Sequence, residues 1–189
     1  MKQDKYYIER VLRGDINAFS FLVDQHKGMV YTISLRMLRN VEDAEELAQD
    51  TFVKAFNSLK DFKFESKFST WLYRITYNGA ISKLRKKQIE VNDIDDSFLP
   101  ETQVISTYNA VNELTKSEQK KYINEAIENL KEDDAFIITM FYLKENTLDE
   151  ICEMTGLTLS NAKVKLHRAR KRFYDELKVI LKDEVKTIL

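Results

Sequence analysis

Glycine and proline are nearly missing from this chain, with four glycines and one proline in 189 residues. A strand-rich domain needs turn residues at short, regular intervals, so this scarcity excludes a glycine-punctuated sheet and leaves one or two helical domains. One cysteine, Cys152, excludes an internal disulfide and a cysteine-built zinc centre. The two histidines, His26 and His167, have no neighbours at metal-ligand spacing, so no metal and no cofactor is expected. There is no phosphate-cradling glycine loop and no nucleophile with an identifiable base, which argues against an enzyme. No apolar run approaches the length of a membrane span and no signal-peptide pattern follows Met1, so a cytoplasmic location is expected. Neither charge sign dominates: 30 lysines and arginines face 31 carboxylates, for a formal net charge of −1. That balance conceals segments of opposite sign, and their placement carries the functional signal.

Helical periodicity organises the first half. Tyr6, Ile8, Val11 and Leu12 predict a short helix ending near Gly14, with Asp15 or Asn17 able to cap the next helix. Phe19, Leu22, Val23, His26, Val30, Ile33 and Met37 then recur at three and four over residues 18–39, one stripe of a long amphipathic helix. His26 lies on that stripe and reads as a hydrogen-bonded core histidine. Asn40 caps a third helix whose inward face is Ala44, Leu47, Ala48, Thr51, Phe52, Ala55, Phe56 and Leu59. Its other face is acidic. Glu42, Asp43, Glu45 and Glu46 suit the positive end of the helix dipole, but Asp50 and Gln49 lie further along, where the dipole does little. An exposed acidic strip facing a basic partner is the functional reading.

An aromatic and basic segment comes next. From Asp61 to Ser69, polar and aromatic residues alternate without helical period, and cations beside ring faces are what single-stranded nucleic acid uses. Phe68, Trp71, Leu72 and Ile75 share a helical face and read mainly as core. Tyr73 and Tyr77 lie on another face, where helix packing and base stacking both remain open. The helix ends in Lys83, Arg85, Lys86 and Lys87, a track suited to phosphates. Residues 88–118 then turn acidic around Pro100 and read as a linker. A solvated tether is its default role, although Phe98 with Leu99, or Val104 with Ile105, would let it dock. Ser117 caps a helix carrying Tyr122, Ile123, Ala126, Ile127 and Leu130. Asp133 caps another that is apolar nearly all round, from Phe136 to Leu143, and should centre a small domain.

The stretch from Thr147 to Phe173 has helix-turn-helix punctuation. Thr147 and Glu150 form a capping-box signature for a helix whose inward face is Leu148, Ile151 and Cys152. Gly156 supplies a left-handed stop, Leu157 an apolar plug and Thr158 the next N-cap. The second helix turns Ala162, Leu166, Ala169 and Phe173 inward. Its other faces carry Lys163, Lys165, Arg168, Arg170, Lys171 and Arg172 with no carboxylate among them, and His167 adds partial charge. A merely solvated basic face is the competing reading. After such a turn, however, the first residues of the second helix reach base edges while its other cations hold phosphates, which makes Ser160, Asn161, Lys163 and Lys165 candidate readers.

Three strings in this order, Asp43-Ala-Glu-Glu-Leu-Ala-Gln-Asp50-Thr-Phe52, Phe68-Ser-Thr-Trp71-Leu-Tyr-Arg-Ile-Thr-Tyr-Asn78 and Leu166-His-Arg-Ala-Arg170, resemble the extracytoplasmic-function group of bacterial sigma factors. The resemblance implies an all-α fold: a core-binding and −10-reading domain at 1–88, an acidic linker at 89–117 and a −35-reading helix-turn-helix domain at 118–189. It implies core RNA polymerase and promoter DNA as partners, and an anti-sigma factor as a further one. Carried over residue by residue, it assigns polymerase docking to Asp43, Glu46, Leu47, Gln49, Asp50 and Phe52. The −10 element falls to Lys63, Phe64, Ser66, Lys67, Trp71, Arg74, Tyr77, Asn78, Lys83 and Arg85. The −35 element falls to Thr158, Ser160, Asn161, Lys163, Lys165, His167, Arg168, Arg170 and Lys171. The sequence departs from the family at Ser82, where aspartate is usual, at Leu159, where glutamate is common, and at Lys131-Glu132, in place of a Leu-Pro turn. Leu159 accepts no hydrogen bond, so it either contacts a thymine methyl or reads nothing. The competing function is a stand-alone helix-turn-helix regulator with an N-terminal dimerisation or sensor module, which leaves the acidic strip and the loop aromatics without a role.

Overall fold

The computed structural model describes residues 2–92 and 116–188, and every regular element among them is helical. α1 (Lys2–Leu12) leads through a 3-10 turn to α2 (Phe19–Leu38), followed by α3 (Val41–Asn57) and α4 (Phe68–Asn92). α2, α3 and α4 pack mutually, with α1 laid against α2. Leu22, Ile33, Met37 and Leu72 are essentially inaccessible, and each buried side chain of this size contributes about 1.5–3 kcal/mol. Asn40 caps α3 as expected, its side chain accepting from the Asp43 N–H at 2.8 Å. α3 and α4 cross closely at Gly79, where an added Cβ would lie 2.6 Å from Leu47 Cδ1. His26 is buried, with Nε2 3.2 Å from Asp4 Oδ1, so it is a core histidine that pegs α1 onto α2.

Two expectations for this half are corrected. Tyr6 and Leu12 stay exposed and only Ile8 of α1 is fully buried, because one neighbouring helix covers a single narrow stripe. Asp15 makes no side-chain cap, since its carboxylate is taken by Arg10.

The second half contains α5 (Lys116–Glu128), α6 (Glu132–Ile138), α7 (Leu148–Thr155) and α8 (Leu159–Ile188). The helix expected to have Asp133 as its cap is capped two residues earlier, at Lys131, whose side chain has no acceptor to offer, and the Asp133 carboxylate is instead bonded by Tyr77 and Lys165. Nor does it run apolar to Leu143. After Ile138 the chain makes a π-helical turn over Thr139–Leu143, which leaves Tyr142 and Leu143 in solvent while Met140 is buried. The helix-turn-helix punctuation holds: Thr147 and Glu150 form a complete capping box and Gly156 is left-handed at φ 74. Met154 joins Ile151 as the buried anchor of α7, whereas Leu148 and Cys152 are only half-buried.

The two halves pack against each other, α4 on α7 and α2 on α6, and share one hydrophobic cluster. α4 extends through Asn92 and α5 begins at Lys116, so helix reaches into both ends of the expected linker. The remainder of that linker, with Pro100 and the Phe98–Leu99 and Val104–Ile105 pairs, lies outside the described residues.

Candidate nucleic-acid interface

The loop joining α3 to α4 is held open by its own sequence. Phe62 turns into the core and packs on Phe68 and Trp71, with ring centroids 5.8 and 5.2 Å apart. Phe64 stays exposed and takes a left-handed φ of 59, which is strained for a bulky residue and kinks the loop outward. Lys5 of α1 sits over its ring at 5.7 Å. The result is a cavity of about 440 Å³ lined by Asp61, Phe62, Lys63, Glu65, Ser66, Thr70, Trp71 and Arg74 from this region, with Glu153 of α7 on its far wall. Ring faces for stacking and cations for phosphate thus surround one recess.

The remaining candidates of this region spread along α4. Arg74, Asn78 and Arg85 are exposed. Lys83 is tied to Glu46 of α3 at 2.6 Å, and that bond holds the Glu46 carboxyl below its ordinary range. Tyr73 and Tyr77 are both buried. Tyr77 packs on Phe136 with tilted rings, centroids 4.7 Å apart, and donates to Asp133 at 3.1 Å, both across the contact between the halves; its burial, with Asp133 nearby, pushes its phenol pKa far up. Burial likewise pushes the Tyr73 phenol up to about 12.

Lys67 bridges the halves as well, with Nζ 2.6 Å from Glu150 Oε1. Partial burial would raise the Glu150 pKa, but hydrogen bonds from Lys67, the Thr147 N–H and Asn146 outweigh it and hold the carboxyl below the usual glutamate range. Arg36 of α2 and Arg39, the residue that caps its C-terminus, neither of which sequence reasoning singled out, complete the contact. Arg36 bonds Thr139 and Asn124, while Arg39 reaches the Leu130 carbonyl and lies 3.7 Å from Glu132.

On α8, Ala162, Leu166 and Ala169 face inward, leaving Ser160, Asn161, Lys163, His167, Arg168, Arg170 and Lys171 exposed. Thr158 caps the helix, its hydroxyl accepting from the Asn161 N–H at 3.3 Å. Arg170 lies over the Tyr142 ring at 5.6 Å. Lys165 is half-buried and ion-paired with Asp133, and Arg172 with Asp134, so both cations are engaged within the domain. A larger cavity of about 1110 Å³ separates this flank of α8 from the far half of α4, with Leu84, Val164 and Arg168 on its walls.

The acidic strip lies on the outer surface of α3, where Glu46, Gln49 and Asp50 are exposed, Asp43 and Phe52 half-exposed, and Leu47 is buried beneath them. Among the described residues no cluster of His, Cys, Asp or Glu could hold a metal, and no helix is long and apolar enough to cross a membrane.

Two family models match the chain, sigma-70 region 2 over residues 22–89 and sigma-70 region 4 over residues 120–173. The chain is 32% identical over 190 residues to the ECF RNA polymerase sigma factor SigW of Bacillus subtilis (strain 168), covering 92% of this chain and 96% of that one. It is 26% identical over 188 residues to the RNA polymerase sigma-H factor of Pseudomonas aeruginosa, covering 96% and 97% respectively. The sigma factor RpoE of Bartonella quintana, solved in complex with the anti-sigma factor NepR, shares the fold, with a TM-score of 0.67 at 23% identity over 85% of this chain and 97% of that one.

Proposed function

The chain belongs to the extracytoplasmic-function group of RNA polymerase sigma factors, and we propose how its surfaces divide the work of promoter recognition and transcription initiation. The acidic strip of α3 docks on a basic surface of core polymerase through Asp43, Glu46, Gln49 and Asp50, with Phe52 at its edge and Leu47 supporting it from beneath. The exposed face of α8 reads the −35 element: Ser160, Asn161 and Lys163 reach base edges, while Arg168, Arg170 and Lys171 hold phosphates. The recess between α3 and α4 takes an unstacked base of the −10 element, stacked on Trp71 with its backbone near Lys63 and Arg74. Extruding a base costs about a few kcal/mol, which stacking and charge must offset.

In this reading the protein makes and breaks no bond, works in the cytoplasm, and is released after initiation or sequestered by an anti-sigma factor. The observation that carries it is the recess itself, which combines stacking rings and cations in one cavity of about 440 Å³. Permanganate footprinting of a promoter with reconstituted holoenzyme tests it. Trp71→Ala should leave closed-complex formation intact and abolish strand opening; unchanged opening in a folded variant would remove the base-capture role.

A further inference from the structure

We propose that Thr70 is a specificity-determining residue of the strand-capture recess, its hydroxyl hydrogen-bonded to the polar edge of the extruded base. The proposal rests on the reading of that recess as the −10 pocket. Thr70 lies in the first turn of α4, is 1% exposed and lines the cavity. Its Oγ1 has no hydrogen-bond partner among the described residues.

Several helical hydroxyls among the described residues are satisfied by the carbonyl four residues back, as Ser34 is by Val30 at 2.9 Å and Thr76 by Leu72 at 3.0 Å. Thr70 lacks that option because the residue four before it, Ser66, precedes the helix. Thr51 is also unpartnered but lines neither cavity, so only at Thr70 does an unspent buried hydroxyl coincide with a recess. An unsatisfied buried hydroxyl is destabilising, and native structures keep few without a reason.

The recess supplies ring faces from Phe62 and Trp71, which stack any base, and cations from Lys63 and Arg74, which suit phosphate. None of these four can accept a hydrogen bond from a base; of the other lining side chains, the carboxylates of Asp61, Glu65 and Glu153 accept only, and Ser66 is a second hydroxyl, in the loop before the helix. A hydroxyl both donates and accepts, so Thr70 can meet the mixed edge of a nucleobase. A site built to hydrogen-bond its ligand discriminates strongly against an analogue lacking the partner atom.

The test is Thr70→Val, which keeps shape and removes the hydroxyl, studied in holoenzyme on a promoter selected by the unmodified holoenzyme from a randomised pool. The thermal midpoint of the variant should equal or exceed that of the parent, because an unsatisfied group has been removed, and core affinity should be unchanged. Open-complex formation should nevertheless be about five- to tenfold weaker. With an abasic site at the extruded position the two proteins should become equal, and Thr70→Ser should restore discrimination. Parent-like opening by the valine variant on the natural base overturns the proposal. So does an equal loss on natural and abasic promoters, which would mark a purely structural hydroxyl. Should the valine variant not fold, Thr70→Ala takes its place in the same comparison. Trp71→Ala with unchanged opening would instead sink the recess as the capture site, so the two failures are distinguishable.

Discussion

The two surfaces proposed to face DNA differ in what covers them. The outer face of α8 presents Lys163, His167, Arg170 and Lys171 to solvent. The recess before α4 is walled by Glu153, its neighbour Lys67 is neutralised by Glu150, and Tyr77 is sealed under Phe136. On the proposed assignment, duplex reading is therefore open in this arrangement, whereas the strand-capture recess is partly covered by Glu153 of α7. No single strong lock holds the cover. Lys67–Glu150 is a partly exposed pair of the kind worth about 0–1 kcal/mol, and it is joined by the Tyr77 contacts and the Arg36 and Arg39 bonds. Such a contact holds the halves together yet can be displaced by a large partner surface.

The strongest way to break the comparison is on the open side. Lys163→Ala and Arg168→Ala should each weaken −35 duplex binding, by about 1–3 kcal/mol where a specific base contact is lost, as read by gel shift with core binding unaffected. Salt sharpens the same point. Six phosphate-bound cations would give a slope of log affinity against log salt of around −5, but Lys165 and Arg172 are held by Asp133 and Asp134 and Lys163 is assigned to base edges, so Arg168, Arg170 and Lys171 remain and the expected slope falls to around −3.

Next in size, reversing charge at Asp43, Glu46 and Asp50 should weaken core binding by about tenfold or more while leaving −35 duplex affinity intact. Circular dichroism must first show that the fold survives, because Glu46 also holds Lys83. On the covered side, Tyr77→Phe removes the bond to Asp133 and should loosen the contact by about 1 kcal/mol, seen as a larger radius in small-angle scattering.

The smallest effect is that of pH. The Glu150 carboxyl is held below its ordinary value of 4.5, so its pair with Lys67 contributes fully above that value and is lost only as pH falls through the depressed one. Compactness should therefore be flat through neutral pH and relax slightly in acid, and Glu150→Gln, which can keep the cap, should abolish that acid step.

Most of the fold was legible because its signals are local. The Asn40 cap, the Thr147 and Glu150 box, the Gly156 stop and the His26 stripe each depend on residues within a turn or two of one another. The open face of α8 was legible for the same reason, since burying Ala162, Leu166 and Ala169 fixes where its cations point. The recess was anticipated as a loop, but its Thr70 and Glu153 walls were not. Lys67 meets Glu150, Tyr77 meets Asp133 and Lys83 meets Glu46 across long sequence separations, and periodicity carries no information about such pairings. Tyr77 illustrates the limit: periodicity left its face of α4 open between packing and stacking and the resemblance gave it to the −10 element, whereas here it is buried against Phe136 of the other half.

The most direct test of this account is the binding of the full-length chain, with and without core polymerase, to two probes: the −35 duplex and the single non-template strand of the −10 element. The covered recess predicts that the chain alone binds the duplex but captures the strand only weakly, and that core polymerase restores strand capture. Binding of the single strand by the free chain as tightly as by the holoenzyme would contradict it.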